Sequence, residues 1–357
     1  MAAFRQPQGD TEVKTVLTEA AEQARLRQTR MYWLRIALAI AALLVIVILV
    51  NWAAGGSFLE PSNLIRVLRQ ITYQAILAFG QTFVIITAGI DLSVGSLVSL
   101  TGVAMALFAN AVPFHGFALI LATLLFGVAV GAACGFINAI PVVRLNLPPF
   151  ITTLAMMLMA VGLSYKLCHG RPVALQSTDF SHIGYGLFLG GLFDRLHLPG
   201  IPVVVIWMIV IAIVASVLLM RTRFGRYVFA LGGNEEAARL AGIPVARVKT
   251  LVYVISGTCA AIAGFLLMAN FSSGSPNTAT GDELLESIAA VVVGGTSLMG
   301  GRGSIVGTFF GALLIGVLYN VMNLLGIESY TQKIVLGAVI LLAVVLDELR
   351  KRYLART

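Results

Sequence analysis

Charge is scarce in this sequence. Its 357 residues include 24 Lys and Arg and 16 Asp and Glu, 11% in all, against roughly 25% in soluble domains. With 59% of the residues hydrophobic, a water-soluble fold of this length is close to excluded. None of the lysines (Lys14, Lys166, Lys249, Lys333, Lys351) follows a glycine, so no loop of the G-x-x-x-x-G-K-[ST] kind can cradle nucleotide phosphates. The cysteines Cys134, Cys168 and Cys259 form no C-x-x-C pair, which removes a disulfide framework and a zinc site. HExxH and GxSxG are missing too, and Ser297 in GGTSLMG (294–300) has its glycine one position too far away for a nucleophile elbow. No catalytic residue, metal ligand or resident cofactor is assigned.

What is abundant is apolar chain, with a mean hydropathy of +0.94. A helix crosses the hydrocarbon core with about 20 apolar residues. Ten such runs predict an all-α polytopic membrane protein, with helices near 36–54, 64–88, 93–112, 116–140, 149–167, 201–220, 249–271, 284–297, 304–326 and 330–347. The eighth is short and glycine-rich, so a re-entrant or broken helix competes with a full crossing. Residues 1–35 form a cytoplasmic, amphipathic N-terminal segment, 36–348 the transmembrane domain and 349–357 a basic tail. The first apolar run begins only after about 35 polar residues and lacks a convincing A-x-A cleavage site, which argues that the first span is retained.

Lys and Arg near span ends stay on the cytoplasmic side. With ten crossings and an inner N-terminus, eighteen of the 24 basic residues fall inside, so both termini are expected to be cytoplasmic. Basic residues spread between apolar runs give no reason to expect nucleic acid as a partner. Two connections are long. The outer one, 168–200, holds His169, Arg171, Asp179, His182, Asp194, Arg195 and His197, and is either a solvated loop or a docking surface for an external protein. The inner one, 221–248, contains a short helix capped by Asn234, with Glu235 and Glu236 in its first turn, stopped by Gly242 and Pro244.

GIDLSVGS, residues 89–96, is the sharpest local feature, and Asp91 is the one carboxylate between Glu60 and Asp179. A charge at membrane depth costs about 2.5–3.5 kcal/mol on insertion scales. Asp91 therefore either caps the next helix in a tight turn at the inner surface or sits at a helix break within the protein body, where Ser93 and freed backbone groups line a polar path. VVVGGTSLMGGRGSIVG (291–307) loosely echoes VIITAGIDLSVGSLVS (84–99), as internal duplications in transporters do. Glycines spaced by four, Gly127, Gly131 and Gly135, and Gly303, Gly307 and Gly311, suit close helix packing. A neutral polyhydroxyl solute would want amides and hydroxyls along its path. Asp91, Ser93, Asn138, Asn270 and Asn320 are the candidates.

GIDLSVGS (89–96), RFGRYVFALGGNEEAARLAGI (223–243) and IAAVVVGGTSLMGGRGSIVGT (288–308) together resemble the permease subunits of bacterial ABC sugar importers of the ribose type, in order over about residues 36–348. The resemblance implies a permease in the bacterial inner membrane, importing ribose or a related monosaccharide by alternating access. It implies a second permease copy, ABC ATPase subunits that bind ATP and Mg, and a periplasmic or lipid-anchored sugar-binding protein, with membrane lipid around the whole. ATPase coupling then maps onto Gly232, Gly233, Asn234, Glu235, Glu236, Arg239 and Gly242. The closing segment from Ser329 is most similar to the ribose branch. Branched-chain amino acid permeases share the architecture but usually differ at the position of Asp91. An ion-coupled secondary transporter is the other alternative, for which Asp91 is the plausible coupling carboxylate in the first half.

Overall fold

The computed structural model describes residues 48, 51–52, 55–188, 200–278 and 282–354, the side chains of 346–354 excepted. The expected amphipathic segment 1–35, nearly all of the span 36–54, and Asp194, Arg195 and His197 lie outside the described residues. The chain divides into two units, residues 1–58 and 59–357. In the first, the described part includes a turn at Gly55 and Gly56, both at positive φ.

The second unit is helical almost throughout. Its helices are α1 (Pro61–Ile86), α2 (Val94–Ala111), α3 (Gly116–Arg144), α4 (Pro149–Leu167), the single turn α5 (Ser181–Gly184), α6 (Val203–Arg221), α7 (Arg223–Gly233), α8 (Glu235–Leu240), α9 (Val245–Phe271), α10 (Asp282–Val293), α11 (Ile305–Leu324) and α12 (Ser329–Leu354). Nine of the ten expected apolar runs thus appear as helices, eight with ends within four residues of the ranges read from hydropathy and the last, α12, running seven residues further. Proline sets several boundaries. Pro61 and Pro149 open their helices, where the missing N–H costs nothing. Val112 is extended before Pro113 and closes α2.

Among the described residues, α2, α3, α4, α6, α9 and α11 are long and apolar enough to cross a membrane. Burial sorts them: 72% of the apolar window of α2 and of α9 is covered by protein, against 22% in α3. The central pair α2 and α9 is therefore walled by α1, α3 and α4, and α3, α4 and α6 present Phe117, Leu125, Leu158, Met159, Ile213 and Val214 outward, the expected face toward lipid. The α3 glycine spacing has a direct cause. A Cβ at Gly131 would lie 2.3 Å from the Gly257 carbonyl oxygen of α9, and one at Gly257 would lie 2.1 Å from the Gly131 oxygen. The two backbones touch with no side chain between them.

α10, α11 and α12 share a second apolar cluster around Ala289, Ile315, Tyr319, Met322 and Leu336. At 12 residues, α10 is about 18 Å long, short of the roughly 30 Å hydrocarbon core. It is a half-helix, which decides the eighth segment against a full crossing by this helix alone. Polar pairs run down α1 in order: Asn63 with Asn320, Gln74 with Glu286, Thr82 with Thr308, and the Ile86 carbonyl with the Gly301 N–H. Glu286, near the start of α10, therefore lies beside a point about 20 Å down α1 from Pro61. It sits beside the middle of α1.

At the end opposite α8, two short antiparallel ladders form: β1 (Val173–Ala174) pairs with β4 (Ser273–Gly274), and β2 (Leu187–Phe188) with β3 (Ile201–Pro202). Nearby, Asp179 Oδ2 accepts from the Gly116 N–H at 2.8 Å and the Ser177 hydroxyl at 2.7 Å. These bonds hold its carboxyl below the usual carboxylate range, the Ser177 bond most strongly.

Candidate functional site

α1 ends because the chain turns left-handed at Ala88, φ +58°. The Ala88 N–H bonds the Ile85 carbonyl and the Gly89 N–H bonds the Val84 carbonyl, the Schellman pattern that satisfies a helix's last carbonyls. Glycine at 89 is required by space: a Cβ there would lie 2.9 Å from the Tyr253 hydroxyl. α10 ends the same way, with the Gly295 N–H on Val292 and the Thr296 N–H on Val291, Gly295 standing at φ +87°. The loose echo between the two segments thus has a shared helix–break–helix geometry.

Between Gly89 and α2 buried polar residues alternate with the half-buried Ile90 and Leu92. Asp91 and Ser93 are 0% exposed. Asp91 Oδ1 accepts from the Ser93 N–H at 2.9 Å and the Ser93 hydroxyl at 2.6 Å, while Oδ2 accepts from the Ser256 hydroxyl of α9 at 2.8 Å. Ser93 Oγ in turn accepts from Asn138 Nδ2 of α3 at 2.9 Å. The Asp91 backbone carbonyl accepts from Gln81 of α1, and that of Ile90 from Thr153 of α4. Asp91 so holds the N–H of Ser93, the N-cap of α2, and the segment is tied to α1 and α9 through Asp91, to α3 through Ser93 and to α4 through Ile90. The two readings of this segment merge: it is a capped turn, and it is a break enclosed in protein. Three donors on one carboxylate, with no ion pair to it among the described residues, replace hydration with protein dipoles.

The structure brings Asp91, Ser93 and Asn138 together and leaves the other two candidates apart. Asn320 forms a reciprocal amide pair with Asn63, 2.9 Å in both directions, clamping α11 to α1. Asn270 lies half-buried at the far end of α9. Sequence reasoning missed Ser256 and the buried Gln74–Glu286 bond, which has Tyr319 beside it. Each is a polar residue in an apolar helix whose partner is far away in sequence, and no local pattern marks it.

On the opposite side of the break lies the 221–248 segment. Thr222 caps α7 by accepting from the Gly225 N–H, and Asn234 caps α8 by accepting from the Ala237 N–H at 2.9 Å. Gly242, φ +78°, and Pro244 end α8 as their positions indicate. Glu235 is engaged within the chain, 2.7 Å from Lys249 and 3.4 Å from Arg239. Glu236 and Arg239 are exposed, and so is Leu240, at 85%. Leu240, the last residue of this six-residue helix, is absent from the residue set read from sequence. Among the described residues, no three His, Cys, Asp or Glu side chains converge to hold a metal.

Comparison with known proteins matches residues 63–344 to the family described as branched-chain amino acid transport system / permease component. The chain is 43% identical over 315 residues to the ribose import permease protein of Escherichia coli (strain K12), covering 88% of this chain and 94% of that one. It is 42% identical over 305 residues to the ribose import permease protein of Bacillus subtilis (strain 168), covering 85% and 90%. With the fructose import permease protein of Rhizobium meliloti it shares 38% over 294 residues, covering 82% and 80%. No solved structure matches.

Proposed function

The chain belongs to the branched-chain amino acid transport system permease family, and from that premise we propose that it is the membrane-spanning subunit of an ATP-driven importer of ribose or a related monosaccharide. The observation that carries the reading is α8, a capped helix exposing Glu236, Arg239 and Leu240 to water in a chain otherwise made of apolar spans. Kinship to ribose and fructose import permeases supplies the substrate class.

The work divides accordingly. A separate ABC ATPase binds ATP and Mg and grips α8, and a periplasmic or lipid-anchored binding protein delivers the sugar to the end carrying β1–β4. Two copies of this chain enclose the path in the inner membrane, with both termini cytoplasmic and lipid against α3, α4 and α6. The chain itself is non-catalytic and the sugar crosses unmodified. Within each copy Asp91, Ser93 and Asn138 brace the break, and the passage opens and closes as the helices around it change tilt.

Cells lacking this chain should lose ribose uptake and regain it when it is restored; uptake that persists in its absence overturns the reading. Purified chain that concentrates sugar in sealed vesicles without an ATPase would replace it with ion-coupled transport. Glu236→Arg should insert normally and yet lose co-purification of the ATPase, because the substitution reverses charge on a surface that faces water and a partner.

A further inference from the structure

The two helix breaks and the 221–248 segment meet at one backbone atom. The Schellman pattern at the end of α1 satisfies the Val84 and Ile85 carbonyls and leaves that of Ile86 pointing outward, where it accepts the Gly301 N–H at 2.9 Å. Gly232, next to last in α7, is seated against the same atom. A Cβ at 232 would lie 1.7 Å from the Ile86 oxygen and 2.6 Å from the Gly301 nitrogen. From the other side, a Cβ at Gly300 would lie 2.8 Å from the Gly232 oxygen and 2.9 Å from the Ile86 oxygen. Three chain segments thus touch through backbone alone, with no rotamer to absorb a displacement.

We propose that this glycine joint makes Gly232 a positioning residue for transport: through the Ile86 carbonyl, α8 moves both helix breaks as one body. The proposal rests on the reading of α8 as the ATPase grip. Only Asn234 separates α7 from α8, and Glu235–Lys249 braces α8 against α9. Five residues beyond Ile86 the chain reaches Asp91, which holds α2 and α9 directly and α3 through Ser93. Gly301 leads through Ser304, whose side chain caps α11 by accepting from the Gly307 N–H. A push on α8 therefore arrives at the start of α2 and the start of α11 together.

Gly162, on the exposed face of α4, provides the control, since a Cβ there meets nothing within 4 Å. In proteoliposomes holding the chain with its ATPase and binding protein, Gly162→Ala should import ribose as wild type does. Gly232→Ala should keep its ATPase bound and hydrolysing while ribose uptake falls tenfold or more, so that the ATP spent per sugar rises by that factor. Unchanged uptake, or uptake and hydrolysis falling in proportion, overturns the proposal. Should Gly232→Ala fail to insert, the pair Gly233→Cys and Gly301→Cys, with the native cysteines replaced by alanine, decides. A Cβ at 301 lies 3.1 Å from the Gly233 Cα, within reach of a disulfide. A joint that moves as one body keeps at least half its uptake when oxidised. Uptake that is lost on oxidation and restored by reductant means the loops part during the cycle, and the proposal fails. A wild-type complex that hydrolyses ATP without importing sugar would sink the functional reading instead.

Discussion

Asp91 shows how a charge is held inside this molecule. Its oxygens take three donors, one of them from Ser256, 165 positions away in sequence. Ser256→Ala removes the donor to Oδ2 and leaves that oxygen buried without it, which costs about 1–3 kcal/mol. Thermal unfolding of the detergent-solubilised protein should show the loss, and an unchanged midpoint would mean that Oδ2 finds another donor. Asp179 offers a pH handle at the opposite end. Its folded pKa is depressed by the Ser177 hydroxyl and the Gly116 N–H, so its contribution is fully present above the unfolded value of about 3.9. That contribution fades as pH falls through the lower folded value. Hydrogen exchange at the Gly116 amide should therefore accelerate below about pH 3.9, and Asp179→Asn should flatten that dependence. Neither pairing is visible in the sequence. GIDLSVGS draws the eye to Asp91, but nothing near it names Ser256, because a lone serine in an apolar helix reads the same whether it meets a carboxylate or a backbone carbonyl.

At the scale of elements, hydropathy and caps carried most of the information. Lipid crossing demands long apolar runs, and those runs gave the helices. Asn234, Gly242 and Pro244 marked the limits of α8 through chemistry confined to a few neighbouring residues. The depth of α10 was not legible, because its apolar stretch is ended by a turn and its level is set by α1 through Gln74 and Glu286. The four-residue glycine spacing of α3 signalled close packing without saying against what; the partner is α9. Gly257→Leu forces the two backbones apart where they now touch, and overpacking of this kind costs about 1–3 kcal/mol or more. Gly162→Leu, on the open face of α4 where a Cβ meets nothing within 4 Å, should be tolerated. Comparing aggregation temperatures of the two variants in detergent checks the difference, and equal behaviour would refute the α3–α9 contact.

For the whole molecule, the arrangement predicts a strong contrast in accessibility. Leu240→Cys should react rapidly with a membrane-impermeant thiol reagent in inside-out vesicles and not in intact cells, since α8 faces the cytoplasm in the proposed orientation. Asp91→Cys, at a site with no exposed surface, should resist from both sides. Rapid labelling of position 240 from outside would invert the molecule and detach α8 from any cytoplasmic motor.

The two ends of the bundle share one building rule. Gly232 seats main chain on main chain beside the helix breaks. At the far rim, Val173–Ala174 is stitched to Ser273–Gly274 by amide bonds, and a Cβ at Gly274 would lie 2.4 Å from the Gly102 carbonyl oxygen. At either end, then, a single added methyl group forces backbone to move, and tolerance of substitution has to be sought at the open glycines instead.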